Sequence, residues 1–303
     1  MRKEWTFMRS ECGAGRNMAS WEVSTGQQAA YLVDVSWPLS LNGTDISATA
    51  NIIYLVDGNA MFLSASEVAR RRASLRPNEP ATIVVGIGYP LKDSVYSPRR
   101  ALDLTPPCDY YIPPDGPDGT PRPEPHGGAD QFLAFINNIV RPFIASSVFP
   151  SVRFARTALF GHSYGGLFTL NALFTDPTSF DTYLAASPSI WWNNQYILNR
   201  ASDFLQRPEL RPKPALRLSY GSNEQFPVRQ RGESLERYER RVRMAAKRRM
   251  VDNCNELYLK LVANNHLRAV EKREYPDEDH GSVISPAISG GILYFLDLED
   301  DAC

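Results

Sequence analysis

A chain of 303 residues with 43% hydrophobic content is long enough to bury one large α/β core, and 33 Lys and Arg against 34 Asp and Glu leave a formal net charge of −1. That balance gives no global field to draw the protein to nucleic acid or to an anionic membrane, so neither is expected as a partner. Cys12, Cys108, Cys254 and Cys303 are scattered without metal-ligand spacing, which argues for a reducing, cytoplasmic compartment and against a disulfide scaffold or a zinc site.

Residues 1–20 carry charges throughout and lack the apolar stretch of a secretory signal; they read as a flexible N-terminal extension ahead of a single catalytic domain over 21–303. A strand is predicted near 29–37. A second, near 51–57, is built on Ile52, Ile53, Leu55 and Val56 and broken by Asp57-Gly58-Asn59. Such a turn after an early strand offers a backbone N–H, that of Asn59, to an oxyanion; a simple Asp-Gly turn would use the same residues. A helix near 64–72 and a strand near 81–88 follow. In Arg100-Ala-Leu-Asp103-Leu-Thr-Pro106, an Arg held beside an Asp either grips an acidic or carbonyl-rich substrate or forms a structural ion pair. Residues 105–128 are so rich in Pro and Gly that helix and central strand are excluded. This loop follows the third strand and is placed to wall a substrate cleft. A helix is predicted near 129–145.

The strand near 156–161 runs into Gly161-His162-Ser163-Tyr164-Gly165, a G-x-S-x-G match, and then into a helix near 165–174. A serine on a sharp strand-to-helix turn is pushed out of the backbone, and small neighbours are required where strand and helix crowd each other. Ser163 is the candidate nucleophile, and the Tyr164 N–H the first oxyanion donor. An ordinary βα turn with a capping serine is the plain alternative. After a strand near 181–187, Trp191 and Trp192 offer an aromatic wall for a ligand, or pack as core. A helix near 193–205 leads to a strand near 215–221, just beyond which lies Glu224. The helix predicted over 230–262 is rich in Arg and Glu with i,i+4 pairs, and is docked by Met250, Val251, Cys254, Leu257 and Leu261. The last strand, near 268–275, precedes an acidic loop and His280, and a helix near 284–298 closes the chain.

A serine needs a base and a group to orient that base. Of four histidines, His162 adjoins the serine and is expected on the other side of its turn. His126 precedes the serine, against the chain order serine, acid, histidine. His266 ends a helical pattern. His280 remains as the base. Glu224 suits the orienting acid, with Asp277 and Asp279 as rivals by proximity. Alternating strands and helices imply a mostly parallel central sheet covered on both faces, with loop and helix insertions as lids.

Leu55-Val-Asp-Gly-Asn59, Arg100-x-x-Asp103-Leu-Thr-Pro106, Gly127-Gly-Ala-Asp130-Gln-Phe-Leu-x-Phe-Ile136, the elbow itself, Ser187-Pro-Ser-Ile-Trp-Trp192, Gly221-Ser-Asn-Glu224 and Asp279-His-Gly-Ser-Val283 together carry a resemblance. They resemble the "Putative esterase" family of α/β-hydrolases, in its siderophore esterase branch, over nearly the whole chain after about residue 20. The resemblance implies an α/β-hydrolase fold and a catalytic set of Ser163, His280 and Glu224. It also implies an oxyanion N–H at Asn59 and a substrate site lined by Arg100, Trp191 and Trp192. The expected activity is serine-dependent hydrolysis of a small-molecule carboxylic ester through an acyl-enzyme, on a hydroxamate-ester siderophore, without metal or cofactor. A thioesterase or acyltransferase acting on a natural-product intermediate is the alternative; a non-catalytic hydrolase-like binder would have no need for serine, histidine and oxyanion turn together.

Overall fold

The computed structural model describes residues 5–10, 17–26, 30–39, 48–116 and 118–299. Cys12 and Cys303 lie outside these, as do parts of the expected N-terminal extension. In chain order the strands are β1 (Thr6–Ser10), β2 (Met18–Ser24), β3 (Tyr31–Ser36), β4 (Ala48–Val56), β5 (Ala81–Gly88), β6 (Val152–His162), β7 (Thr182–Ala186), β8 (Ala215–Gly221) and β9 (Ala269–Tyr275). The helices are α1 (Gly58–Leu75), α2 (Arg100–Leu104), α3 (Ala129–Phe135), α4 (Arg141–Phe143), α5 (Tyr164–Thr175), α6 (Trp192–Gln195), α7 (Ile197–Leu205), α8 (Leu235–Arg248), α9 (Met250–Val262) and α10 (Ile284–Asp297). Widened π-helical turns, Ile136–Val140 and Ile144–Val148, flank α4.

The chain forms two compact units, Met1–Arg100 with Gln131–Phe160, and Ala101–Asp130 with Gly161–Cys303. In the first, the strands run in the order β1-β2-β3-β5-β4-β6. β1, β2, β3 and β5 pair antiparallel, whereas β4 pairs parallel with β5 and β6. β4 is buried on both faces, with Ile52, Ile53, Leu55 and Val56 fully covered, which is why it reads as an unbroken apolar run. β2 buries only Ala19 and Val23 among exposed or half-exposed neighbours, a one-sided pattern that carries a weaker sequence signal. Residues 6–10 and 18–24 are paired strands; the expected extension ended at residue 20. α1 buries Met61, Phe62, Ala65, Ser66 and Ala69, a stripe at helical spacing.

In the second unit β7, β8 and β9 run parallel. α5 is buried from Tyr164 through Phe174. β9, last in the strand order, carries Glu271, Lys272, Arg273 and Glu274, charges that discourage pairing with another chain. The helix expected over 230–262 is two helices. Arg249 adopts the left-handed conformation (φ 47°, ψ 44°) between them. The break falls where the composition changes: α9 docks through Met250, Val251, Cys254, Leu257 and Leu261, all buried, whereas α8 buries only Ala245. The Asn253 amide donates to the Arg248 carbonyl (3.0 Å) and closes the end of α8.

Candidate active site

Ser163 stands between β6 and α5 with φ 60° and ψ −116°. A non-glycine residue at positive φ is strained and persists only where its surroundings hold it. Here the Ser163 N–H donates to Ala186 O (3.0 Å), and Ser163 O accepts from the N–H groups of Leu167 (2.9 Å) and Ser189 (3.1 Å). The glycines are needed for close approach. A Cβ on Gly161 would lie 2.1 Å from Gly165 O, and one on Gly166 2.7 Å from Ala186 O. The turn therefore lifts the Ser163 side chain clear of strand and helix.

His280 Nε2 lies 3.0 Å from Ser163 Oγ, and His280 Nδ1 lies 2.6 Å from Glu224 Oε2. Glu224 is buried in a 3-10 turn, Ser222–Glu224, at the end of β8. Its other oxygen accepts from the Ser187 hydroxyl (2.5 Å) and the Gly221 N–H (2.7 Å). Such an array fixes the position of the carboxylate, and sets the imidazole tautomer with the proton on Nδ1, leaving Nε2 free to accept from serine.

The rival acids are engaged elsewhere. Asp279 accepts from the N–H groups of Gly281 and Ser282, both at 2.9 Å. Those bonds, the Ser282 N–H first, hold its carboxyl below the usual range. Asp277 meets its neighbours through its backbone, bonding Ser222 and Asn223. Of the other histidines, His126 stacks on Tyr111 with ring centroids 3.6 Å apart, and His266 Nε2 lies 2.9 Å from Arg207 O. His162 departs from expectation. It is buried with its ring centroid 4.6 Å from that of His280 rather than on the far side of the turn, and so packs against His280.

Two serines that the sequence offered only as a lead-in to the tryptophans turn out to touch the site. Ser187 (φ 42°) holds Glu224, and the Ser189 hydroxyl lies 3.4 Å from Ser163 Oγ. They stand in the Ser187-Pro-Ser-Ile-Trp-Trp192 segment, whose expected roles fell on the tryptophans alone; both follow β7 at the same end of the strands as Ser163.

The expected substrate residues separate. Trp192 is fully buried, near Tyr111 and Tyr196, so it is core rather than cleft wall. Trp191 is half-exposed, with its ring centroid 6.2 Å from that of Tyr164. Arg100 is paired with Asp57: Nε donates to Oδ1 (2.9 Å) and a terminal nitrogen to Oδ2 (2.7 Å). Burial works against the Arg100 charge, and Asp57 outweighs it. The fork secures the strained Asp57 turn (φ 53°), the structural alternative for this residue. In that turn the Asn59 side chain is clamped to both backbone groups of Tyr89 at 2.8 Å. Tyr164 opens α5, and its hydroxyl donates to Glu124 (3.2 Å); burial and that carboxylate push the phenol pKa up.

A cavity of about 280 Å³ is bounded by Trp191, Glu224, Met244, Arg248 and His280. A neighbouring one, about 560 Å³, is walled by the Pro-rich loop through Ile112, Pro113 and Pro114, by Trp191 and by α8. The loop is tied down by reciprocal bonds between Asn193 and the backbone of Tyr110 and Ile112, each 2.8 Å. Among the described residues no helix is long and apolar enough to cross a membrane, and no group of His, Cys, Asp and Glu is placed to hold a metal ion.

The arrangement can activate a hydroxyl for attack on a carbonyl, and relatedness points the same way. The chain is 60% identical over 298 residues to the siderophore enterobactin esterase of Emericella nidulans, covering 97% of this chain and 98% of that one. It is 46% identical over 271 residues to the siderophore triacetylfusarinine C esterase of Aspergillus fumigatus, covering 88% and 89%. The solved siderophore hydrolase EstA of Aspergillus nidulans matches with a TM-score of 0.90 at 60% identity, covering 96% of this chain and 97% of that one. The fold is that of the α/β-hydrolases. The family described as "Putative esterase" matches residues 46–266, and the chain belongs to it.

Proposed function

We propose that the protein is a serine esterase that hydrolyses siderophore esters, iron chelators whose backbone is joined by carboxylic-ester bonds. The observation that carries the assignment is the hydrogen-bonded line Ser163–His280–Glu224, at 3.0 and 2.6 Å, in a chain whose relatives bear siderophore esterase names. Ser163 Oγ attacks the ester carbonyl carbon while His280 Nε2 takes its proton. Glu224 steadies the imidazolium that forms. The backbone N–H groups of Tyr164 and Asn59 are the oxyanion donors in this assignment, each in the first turn of a helix, where N–H groups lack a helical partner. The alkoxide leaves with the proton from His280. Water, deprotonated by His280, then releases the acid from the acyl-enzyme. Trp191 offers an apolar face to the chelate. Action in the cytoplasm fits the free thiols of Cys108 and Cys254.

The test is incubation of wild type and Ser163→Ala with ferric and iron-free siderophore esters, short acyl esters and thioesters, following products by mass. Cleavage of siderophore esters by the wild type alone supports the assignment. Thioester cleavage or acyl transfer without any siderophore-ester cleavage would move it to the biosynthetic alternative.

A further inference from the structure

Arg248 closes α8 and lines three cavities at once: those of about 280 and 560 Å³ and a third of about 720 Å³ formed with Asp118, Arg122 and Arg237. Its guanidinium carbon stands 4.6 Å from the centroid of the Trp191 ring. Only Arg248 and Met244 border all three spaces, so a ligand filling the space in front of His280 meets Arg248.

Around it, cations are matched by acids. Arg241 forks onto Glu233 at 2.7 and 2.8 Å, and Arg249 bonds Glu256 at 2.6 Å. Lys247 pairs with Asp115, and Arg122 with Asp118 at 3.2 Å. Arg240 and Arg243 face the glutamates one turn before them. Arg248 alone among the described cations lining these cavities has no hydrogen bond or ion pair to its side chain. The two acids within electrostatic reach are engaged: Asp115 by Lys247, and Glu124 by the Tyr164 hydroxyl. Burial disfavours its charge. A half-buried guanidinium without a carboxylate is costly, whereas the same group stacked on indole presents a planar row of donors to an incoming anion.

We propose that Arg248, laid on Trp191 where the cavities meet, is a specificity-determining residue that binds an anionic oxygen donor of the substrate. The inference rests on the siderophore-ester assignment and refines it to charge. A ferric ion held by three catecholates carries net negative charge, whereas one held by three hydroxamates is neutral. Arg248 therefore favours the anionic chelate, by pairing with its ligand oxygens through a charge-assisted bond.

The test separates binding from turnover. Ser163→Ala protein, with Arg248 intact or changed to Met or Lys, is titrated calorimetrically with two ester-free probes, an anionic ferric tris-catecholate and a neutral ferric tris-hydroxamate. The expected result is a loss of about tenfold or more in affinity for the anionic chelate in Arg248→Met, with much smaller change for the neutral one and partial retention in Arg248→Lys. The anionic binding should also weaken with salt in the Arg248 protein and less so in Arg248→Met. Equal losses on both probes, or none on the anionic one, overturn the proposal. If Arg248→Met unfolds, Arg248→Lys and Arg248→Gln carry the same comparison. Because neither probe contains an ester, a protein that binds the anionic chelate through Arg248 but cleaves no siderophore ester refutes the activity and leaves the site standing.

Discussion

Glu224→Gln should cost far more activity than its small chemical change suggests, because of how the two carboxylate oxygens are used. Oε1 already accepts from the Ser187 hydroxyl and the Gly221 N–H. A glutamine must place its carbonyl there, or leave two buried donors unmatched. Its amide nitrogen then faces His280 Nδ1, where Oε2 stood at 2.6 Å. An amide nitrogen cannot accept a proton bond, so the ring turns its Nδ1 lone pair to the amide and carries its proton on Nε2. That nitrogen, 3.0 Å from Ser163 Oγ, becomes a donor where the reaction needs a base. The imidazolium also loses its carboxylate. Tautomer and charge together account for roughly 10³–10⁴ in kcat, or about 4–5.5 kcal/mol at 1.36 kcal/mol per tenfold. Asp279→Asn keeps an oxygen to accept from Gly281 and Ser282 and should cost less than about threefold. Steady-state hydrolysis of a chromogenic ester by both variants, with thermal melts to exclude unfolding, decides the matter. A Glu224→Gln enzyme within tenfold of wild type, or a larger loss in Asp279→Asn, would refute the geometry-based assignment of the acid.

Ser163→Ala should remove ester hydrolysis, by roughly 10⁴-fold or more, while the melting temperature stays near wild type; residual turnover near normal would end the serine mechanism. The tryptophans should part company. Trp192→Ala opens a cavity in the core and should cost about 3–5 kcal/mol of stability, whereas Trp191→Ala should act mainly on KM for large chelates, as thermal melts and kinetics on large and small esters will show. Arg100→Ala leaves Asp57 buried without its partner, so a destabilisation of about 3–5 kcal/mol with similar damage to large and small substrates is expected. A selective loss on siderophore esters would instead restore a direct substrate role.

The elbow was legible because its requirements are local: a buried strand, two glycines forced by contacts under 3 Å, and a helix buried along its length. The placement of His280 beside Ser163 was legible by elimination, and that of Glu224 beside His280 by chain order. The partners of the tryptophans and of Arg100 were not, because burial and pairing belong to the assembled fold. Nothing in Trp191-Trp192 says which ring faces inward, and Arg100 finds its acid 43 residues earlier in the chain, at Asp57, while the sequence places Asp103 one turn away. The same limit hid β1 and β2, the latter burying only Ala19 and Val23, and the break at Arg249, which shows only as a change from a charged helix to a docked one. Ser187 was missed for a related reason. A serine before a proline looks like any turn until the strand end sets it beside Glu224.

At Ser187, strain and hydrogen bonding meet in one residue and can be separated by substitution. Its backbone sits at φ 42°, its N–H donates to Ser219 O at 2.6 Å, and its hydroxyl holds Glu224 Oε1. An L-residue in that region costs about 1–2 kcal/mol, which glycine avoids. Ser187→Ala keeps the strain and loses the hydroxyl. Ser187→Gly loses both, with part of its gain offset by the looser unfolded chain. Ser187→Gly should therefore be at least as stable as Ser187→Ala. In both, Glu224 keeps only the Gly221 N–H on that oxygen, so its carboxylate is less well held, and kcat should fall by a similar factor of roughly ten. Ser187→Thr, which keeps a hydroxyl, should recover part of the rate. If Ser187→Gly and Ser187→Ala both worked as well as wild type, the hydroxyl would contribute nothing to the rate, and Glu224 would need no second side chain to hold it.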